Sequence, residues 1–161
     1  MVIGLALPID LLKSASIAYV HYLSFMVCFG ALVYERISLK PDPNRHEAIN
    51  MVIADIIYGI AGIALLISGI YRVIKFGQGS EFYTNNPIFW TKIVVFGLVG
   101  SLSLYPTITY VLWAIPLSKG TLPQVTQSLV LRLRLILNIE LIGFASIPFL
   151  ATLMARGVGL A

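Results

Sequence analysis

His21, Asp55 and Glu140 lie inside long apolar runs, and Arg72 and Lys92 stand at the ends of two such runs with Trp90 close by. An imidazole takes up a proton near neutral pH or ligates a metal, and a carboxylate beside it fixes its tautomer and orientation. A carboxyl within hydrocarbon faces inward, where it carries protons or meets a cation. Arg72, Lys75 and Lys92, with Glu81 among them, make a cationic rim that suits an anion: a lipid phosphate or the acidic edge of a bound molecule. The same cations read equally well as side chains snorkelling to headgroups, and Tyr71, Tyr83, Phe89 and Trp90 as an interfacial aromatic belt.

The elements that must position these residues follow from charge. Residues 14–34 hold no full charge, 50–71 are interrupted only by Asp55, 93–118 by nothing and 135–155 only by Glu140. At about 1.5 Å per residue, each run is long enough to cross about 30 Å of hydrocarbon. The pattern predicts helices over roughly 14–35, 48–73, 88–114 and 128–154. Turn residues mark the connections: Pro41, Pro43 and Asn44; then Gly77, Gly79 and Asn85-Asn86-Pro87; then Pro116, Gly120 and Pro123. Connections this short make consecutive helices antiparallel neighbours. The expected fold is all-α: a polytopic integral membrane protein, a four-transmembrane-helix antiparallel bundle forming a single domain over residues 1–161.

Composition points the same way. The chain is 58% hydrophobic and 11% charged, against about 25% charged in soluble domains. The runs are continuous and about twice the length of a barrel strand, which excludes strands. The net charge of +4 comes from basic residues scattered at segment ends, where they meet lipid headgroups, so it is no nucleic-acid footprint. Cys28 is the single cysteine, so neither an intramolecular disulfide nor a cysteine metal site is expected. The first run lacks a small-x-small cleavage pattern and reads as a retained helix rather than a signal peptide, preceded by an interfacial stretch over 2–12 broken by Pro8. Arg36, Lys40, Arg45, Lys119, Arg132 and Arg134 share one side, which the positive-inside rule makes cytoplasmic, with connections 1 and 3 there and both termini outside.

Each helix carries a small or polar stripe: Ser14, Ala18, His21, Ser24, Cys28 and Glu35 on the first, Asp55, Gly59, Gly62 and Gly69 on the second, Lys92, Gly100, Ser103, Thr107 and Tyr110 on the third, Glu140 and Gly143 on the fourth. Glycine and serine stripes mostly serve close packing. Depth counted along the predicted helices, about eight residues in for His21 and about ten for Glu140 from opposite sides, puts them near one level, within reach of a hydrogen bond or one water. The alternative is a neutral Glu140 bonded to Asn138 or a serine, with His21 a satisfied core residue. Asp55, nearer the cytoplasmic rim, can pair with Arg132 or Arg134.

No nucleophile elbow, phosphate loop, HExxH or CxxC is present. One histidine lies in the membrane, and His46 is in the first connection. A bis-histidine haem within one chain is therefore excluded, while a five-coordinate haem on His21, or one shared across a dimer, is not.

Ser68-Gly69-Ile70-Tyr71-Arg72, Gly77-Gln78-Gly79, Glu81-Phe82-Tyr83, Asn86-Pro87 with Phe89-Trp90 and Lys92, then Ser103-Leu104-Tyr105-Pro106-Thr107 and Trp113 together resemble an uncharacterised bacterial four-helix membrane family. The stretch 122–159 is similar to cyanobacterial members. More distantly the chain is similar to the CopD/HemJ-like membrane proteins, which include a four-helix, haem-binding protoporphyrinogen oxidase. That similarity maps a first-helix histidine onto His21, and a third-helix tryptophan and lysine onto Trp90 and Lys92. Where that family has Tyr-His along the third helix, this chain reads Tyr105-Pro106, so one candidate ligand or proton carrier is missing.

The expectation is a bacterial inner-membrane or thylakoid protein that holds haem b or a related tetrapyrrole for redox or carrier work. His21 is the axial ligand to the iron, Glu140 its charge partner, Arg72 and Lys92 the propionate contacts, and Trp90 a further cofactor contact. As an enzyme it would be a HemJ-like oxidoreductase acting on a porphyrinogen. The alternative is a cofactor-free accessory or assembly subunit of a respiratory or photosynthetic complex. A minimal proton or solute path along His21, Glu140 and Asp55 is a third reading. Expected partners are membrane lipids and a larger membrane complex or a second copy, with no nucleic acid.

Overall fold

The computed structural model describes residues 8–76 and 79–159. Gly77 and Gln78 of the second connection, and most of the stretch expected to lie in the interface, fall outside the described residues. The elements are α1 (Ile9–Ser38), α2 (Arg45–Tyr71), α3 (Ser80–Thr84), α4 (Pro87–Ser118) and α5 (Gln127–Ala155), with α2 running on into a wider π-type turn over Arg72–Phe76. Four of them, α1, α2 with its π-type turn, α4 and α5, are long and apolar enough to cross a membrane. They form an antiparallel ring: α1 packs chiefly on α2 and α4 on α5, and the α2–α4 and α1–α5 contacts close it.

Every long helix outruns its expected length, because caps rather than charges end a helix. Lys13, Glu35 and Arg36 all lie within α1, and Lys92 within α4. Asn44 starts α2 with a reciprocal pair: Glu47 N–H donates to Asn44 Oδ1 (3.0 Å), and Asn44 N–H donates to Glu47 Oε2 (2.9 Å). Asn86 accepts from Ile88 N–H (2.9 Å) ahead of Pro87, whose fixed φ suits the first helical position. Thr126 caps α5 through Leu129 N–H (3.3 Å). Pro106 and Pro148 lie inside α4 and α5, which continue through them. The short α3 occupies what the sequence marked as connection.

The ring closes on Leu32 and Cys28 of α1, Met51, Tyr58 and Leu65 of α2, Val99, Tyr110 and Trp113 of α4, and Leu133, Leu137 and Phe144 of α5. Gly143 lets α5 press against α4: a Cβ there would meet Val99 Cγ2 at 2.7 Å. The outward faces remain apolar, with Ile60, Ile63, Leu98 and Ile142 all exposed. In a bundle of this size such a surface is covered by lipid.

Candidate functional site

His21 projects from α1 against α2. Its Nδ1 lies 3.1 Å from Leu65 O and 3.0 Å from Ser68 Oγ. A carbonyl oxygen only accepts, so a hydrogen bond to Leu65 requires that Nδ1 carry the proton. The Ser68 hydroxyl spends its own proton on Ala64 O (2.6 Å), or shares it with Leu65 O, which leaves its lone pairs for the same N–H. The ring is thus held in one tautomer with the Nε2 lone pair free, which is how a ligating histidine is prepared. Gly69 makes room for it: a Cβ there would stand 3.2 Å from His21 Cε1.

The rim cations gather at this level. Arg72 Nη2 donates to Tyr22 OH (3.2 Å), and the guanidinium lies 4.9 Å from the centroid of the Tyr22 ring. Lys92 Nζ lies 5.3 Å from the Phe89 ring centroid. Arg72 and Lys92 are both close enough for their charges to act on the imidazole. Their placement at the π-type turn that closes α2 and in the first turns of α4 follows from the antiparallel pairing of those helices. Trp90 is used differently: its indole N–H donates to Thr84 O (2.9 Å), tying α3 to α4, and 52% of its surface is exposed.

Glu140 does not join this group. Arg36 Nε donates to Asn138 Oδ1, Arg134 Nη2 donates to Leu39 O (2.7 Å), and Phe25 stacks on Phe144. Those contacts set the α1–α5 register: Phe25 is level with Phe144, so Glu140, about one turn before Phe144 on the antiparallel helix, lies about one turn past Phe25 toward the Glu35 end. His21 lies about one turn the other way and bonds Leu65 and Ser68 rather than a carboxyl. The expectation that His21 and Glu140 share a level is therefore overturned. Asn138, engaged by Arg36, is no partner for Glu140 either. Asp55 accepts from Thr107 Oγ1 (2.7 Å) and forms no ion pair with Arg132 or Arg134. Among the described residues the ion pair is Lys40–Glu47, at 2.7 Å on the surface.

Glu140 instead shares the interior with Glu35, Asp55, Tyr58 and Tyr110, whose charges and hydroxyls are near enough to act on one another. Both Glu140 carboxyl oxygens, Glu35 Oε1, Tyr110 OH and Arg134 Nε are buried without a partner. The importance of Glu35 was within reach of the sequence: it continues the His21–Ser24–Cys28 stripe two turns on from Cys28. Tyr110 stands in the polar stripe of the third helix in the same way, while Ser68 carried no such signal, because a hydroxyl in an apolar helix reads as packing. No three His, Cys, Asp or Glu side chains among the described residues are placed to hold a metal ion.

Two open apolar grooves run along the α1–α2 flank. One is bordered by Val27, Ala31, Ala54 and Ile57, and the other by Ser24, Val27, Ala61 and Ala64. Neither is bordered by His21.

A family model described as a predicted membrane protein (DUF2214) matches residues 13–159. No curated protein and no solved structure matches the chain.

Proposed function

The chain belongs to this DUF2214 family of predicted membrane proteins, and we propose that within it the chain works as a small tetrapyrrole-binding redox or carrier protein, with haem b the cofactor and His21 Nε2 the axial ligand. One observation carries the reading. Nδ1 is committed to Leu65 O and Ser68 Oγ, so the imidazole is oriented and its free lone pair is on Nε2. Arg72 and Lys92 stand at the same level and suit the propionates. A haem held there supplies a one-electron centre or is itself the cargo. His21 lies at a part-buried position between α1 and α2, so a haem held there would sit at the flank of the bundle, against lipid or a second copy. Glu140 makes no contact with the imidazole, and the neutral acceptors Ser68 Oγ and Leu65 O orient the ring in its place. The enzyme form of this reading is an oxidoreductase acting on a porphyrinogen, in keeping with the resemblance to CopD/HemJ-like proteins and to bacterial, cyanobacterial-type relatives. The membrane would then be a bacterial inner or thylakoid membrane, with the 39–44 and 119–126 connections in the cytoplasm.

A second reading has its own support. Among the mostly aliphatic lining of the two α1–α2 grooves stand the small residues Ala31, Ala54, Ser24, Ala61 and Ala64, which let a partner helix approach closely. They suit an accessory or assembly subunit, free of cofactor, that docks on a larger respiratory or photosynthetic complex.

Absorption spectra of the detergent-purified protein, oxidised and dithionite-reduced, separate the two. A Soret band that shifts on reduction and vanishes in His21→Ala, with helicity retained, supports the haem reading. A colourless protein that stays colourless after haem is added ends it. Co-purification of that colourless protein with a membrane complex in mild detergent would favour the second reading.

A further inference from the structure

The opposite end of the bundle interior holds a polar group in which neither His21 nor the rim cations take part. Glu35 of α1, Asp55 of α2 and Glu140 of α5 are 1%, 5% and 0% exposed, and Tyr110 of α4 is 0% exposed. The helix register orders them along the axis. Glu35 is in the last turn of α1, nearest the 39–44 and 119–126 connections, with Tyr110 at about its level. Asp55, held by Thr107, comes next, and Glu140, about one turn before the Phe144 on which Phe25 stacks, lies deeper.

A buried polar atom without a partner costs free energy in any protein and more in hydrocarbon, where water does not reach it. Here the Glu140 Oε1 and Oε2, the Glu35 Oε1 and the Tyr110 hydroxyl are all in that state, on three helices of the interior. The charged and polar groups around them leave the carboxyls unmatched. Arg36 is spent on Asn138; Arg134 Nη2 donates to Leu39 O while its buried Nε reaches no carboxyl; the Cys28 thiol points to Tyr58 O at 3.7 Å. The carboxyl separation does not suit a metal ion among the described residues. A proton fits. A protonated carboxyl both donates and accepts, so a bound proton lets Glu140, Glu35 and Tyr110 be linked through water held between them.

We propose that Glu35, Asp55, Glu140 and Tyr110 form an intramembrane proton-binding site that exchanges with the aqueous phase at the end of the bundle carrying the 39–44 and 119–126 connections. Glu35 is the way in, three residues before the end of α1, and Glu140 is the inner terminus. The step is a plain protonation: a proton from water adds to a carboxylate oxygen, giving the neutral acid, and no electron moves. The site does not rest on the haem reading, and it would stand in a colourless protein.

Infrared difference spectroscopy of the whole protein in lipid, titrated with pH, tests this. The expected result is a protonated-carboxyl C=O band that disappears at alkaline pH, shifts in D2O, and loses most of its amplitude in Glu140→Gln. Absence of the band across the titration, or an unchanged band in Glu140→Gln, overturns the proposal. So does a band that never shifts in D2O, since the site would then be sealed from water. A band that responds to sodium against choline at fixed pH and ionic strength would put a metal cation in place of the proton and also overturn it. If Glu140→Gln does not fold, Tyr110→Phe serves instead: removal of the hydroxyl shifts the band if Tyr110 is a partner, and an unmoved band refutes the site as drawn.

Discussion

The two ends of the bundle treat polar groups in opposite ways. At the His21 end, the imidazole N–H has two acceptors, Arg72 has Tyr22, and Trp90 has Thr84. At the Glu140 end, four side chains keep buried polar atoms that nothing satisfies. Satisfaction fixes a group in one orientation, which is what a ligand-binding histidine needs. Want of a partner leaves a group ready to gain one, and in hydrocarbon that readiness is costly enough to require a use. The difference sets opposite signs for the same kind of substitution once the carboxyls have lost their protons: at alkaline pH, trimming a polar group should weaken the first end and leave the second unchanged or strengthened.

The largest effect on stability is expected at Glu140. Glu140→Leu removes an unpartnered carboxyl from a site with no exposure. We predict stabilisation by about 1–3 kcal/mol, the desolvation cost of such a group. Denaturation in mixed SDS micelles measures it, and a clear loss of stability would mean that Glu140 has a structural partner. Gly143→Ala gauges how rigid that neighbourhood is. Its Cβ would come 2.7 Å from Val99 Cγ2, so α4 and α5 must part. A loss of about 1–3 kcal/mol is expected from overpacking, and the same unfolding assay reads it. A neutral outcome would show that the α4–α5 seam gives way, weakening the case for an interior that holds its polar groups apart.

At the other end, Ser68→Ala takes one of two acceptors from the His21 N–H while Leu65 O stays. The expected loss is about 0.6 kcal/mol, typical of an interhelical hydrogen bond in a membrane. In haem-loaded protein the same change should shift the reduction potential without removing the Soret band, because the ligand stays and only its orientation and basicity alter. Loss of the band would mean that Leu65 alone does not hold the ring.

The sequence carried most of this at one level and little of it at another. Uncharged runs located all four long helices, because burying a charge in hydrocarbon is costly enough to space the charges out. The expected ends fell short, because Lys13 and Arg36 are helical and the capping signals, Asn44 with Glu47, Asn86 with Pro87 and Thr126, lay further out. The stripe that runs from His21 to Glu35 was legible from helical spacing. Pairing His21 with Glu140 failed because depth was counted along each helix by itself, with no knowledge of how the helices slide against one another. Arg36 and Arg134 reach sideways to Asn138 and Leu39 rather than marking a rim. Register between helices is set by such contacts, and no single helix's sequence records them.

The smallest expected effect is the sharpest test of the contrast. Tyr110→Phe deletes a buried hydroxyl that has no partner and keeps the ring, which packs edge-on against Trp113 with centroids 5.1 Å apart. If the carboxyl end is unsatisfied, stability should change by no more than about 0.5 kcal/mol, as for substitutions that break no interaction. If the hydroxyl instead bonds a protonated Glu35 or Glu140, its removal should cost about 1 kcal/mol at neutral pH, the worth of one buried hydrogen bond. That cost should fade at alkaline pH, once the carboxyl has lost the proton it donates. Unfolding measured at both pH values therefore reads the occupancy of the proton site directly, and a pH-independent cost would assign the hydroxyl a fixed partner in the protein.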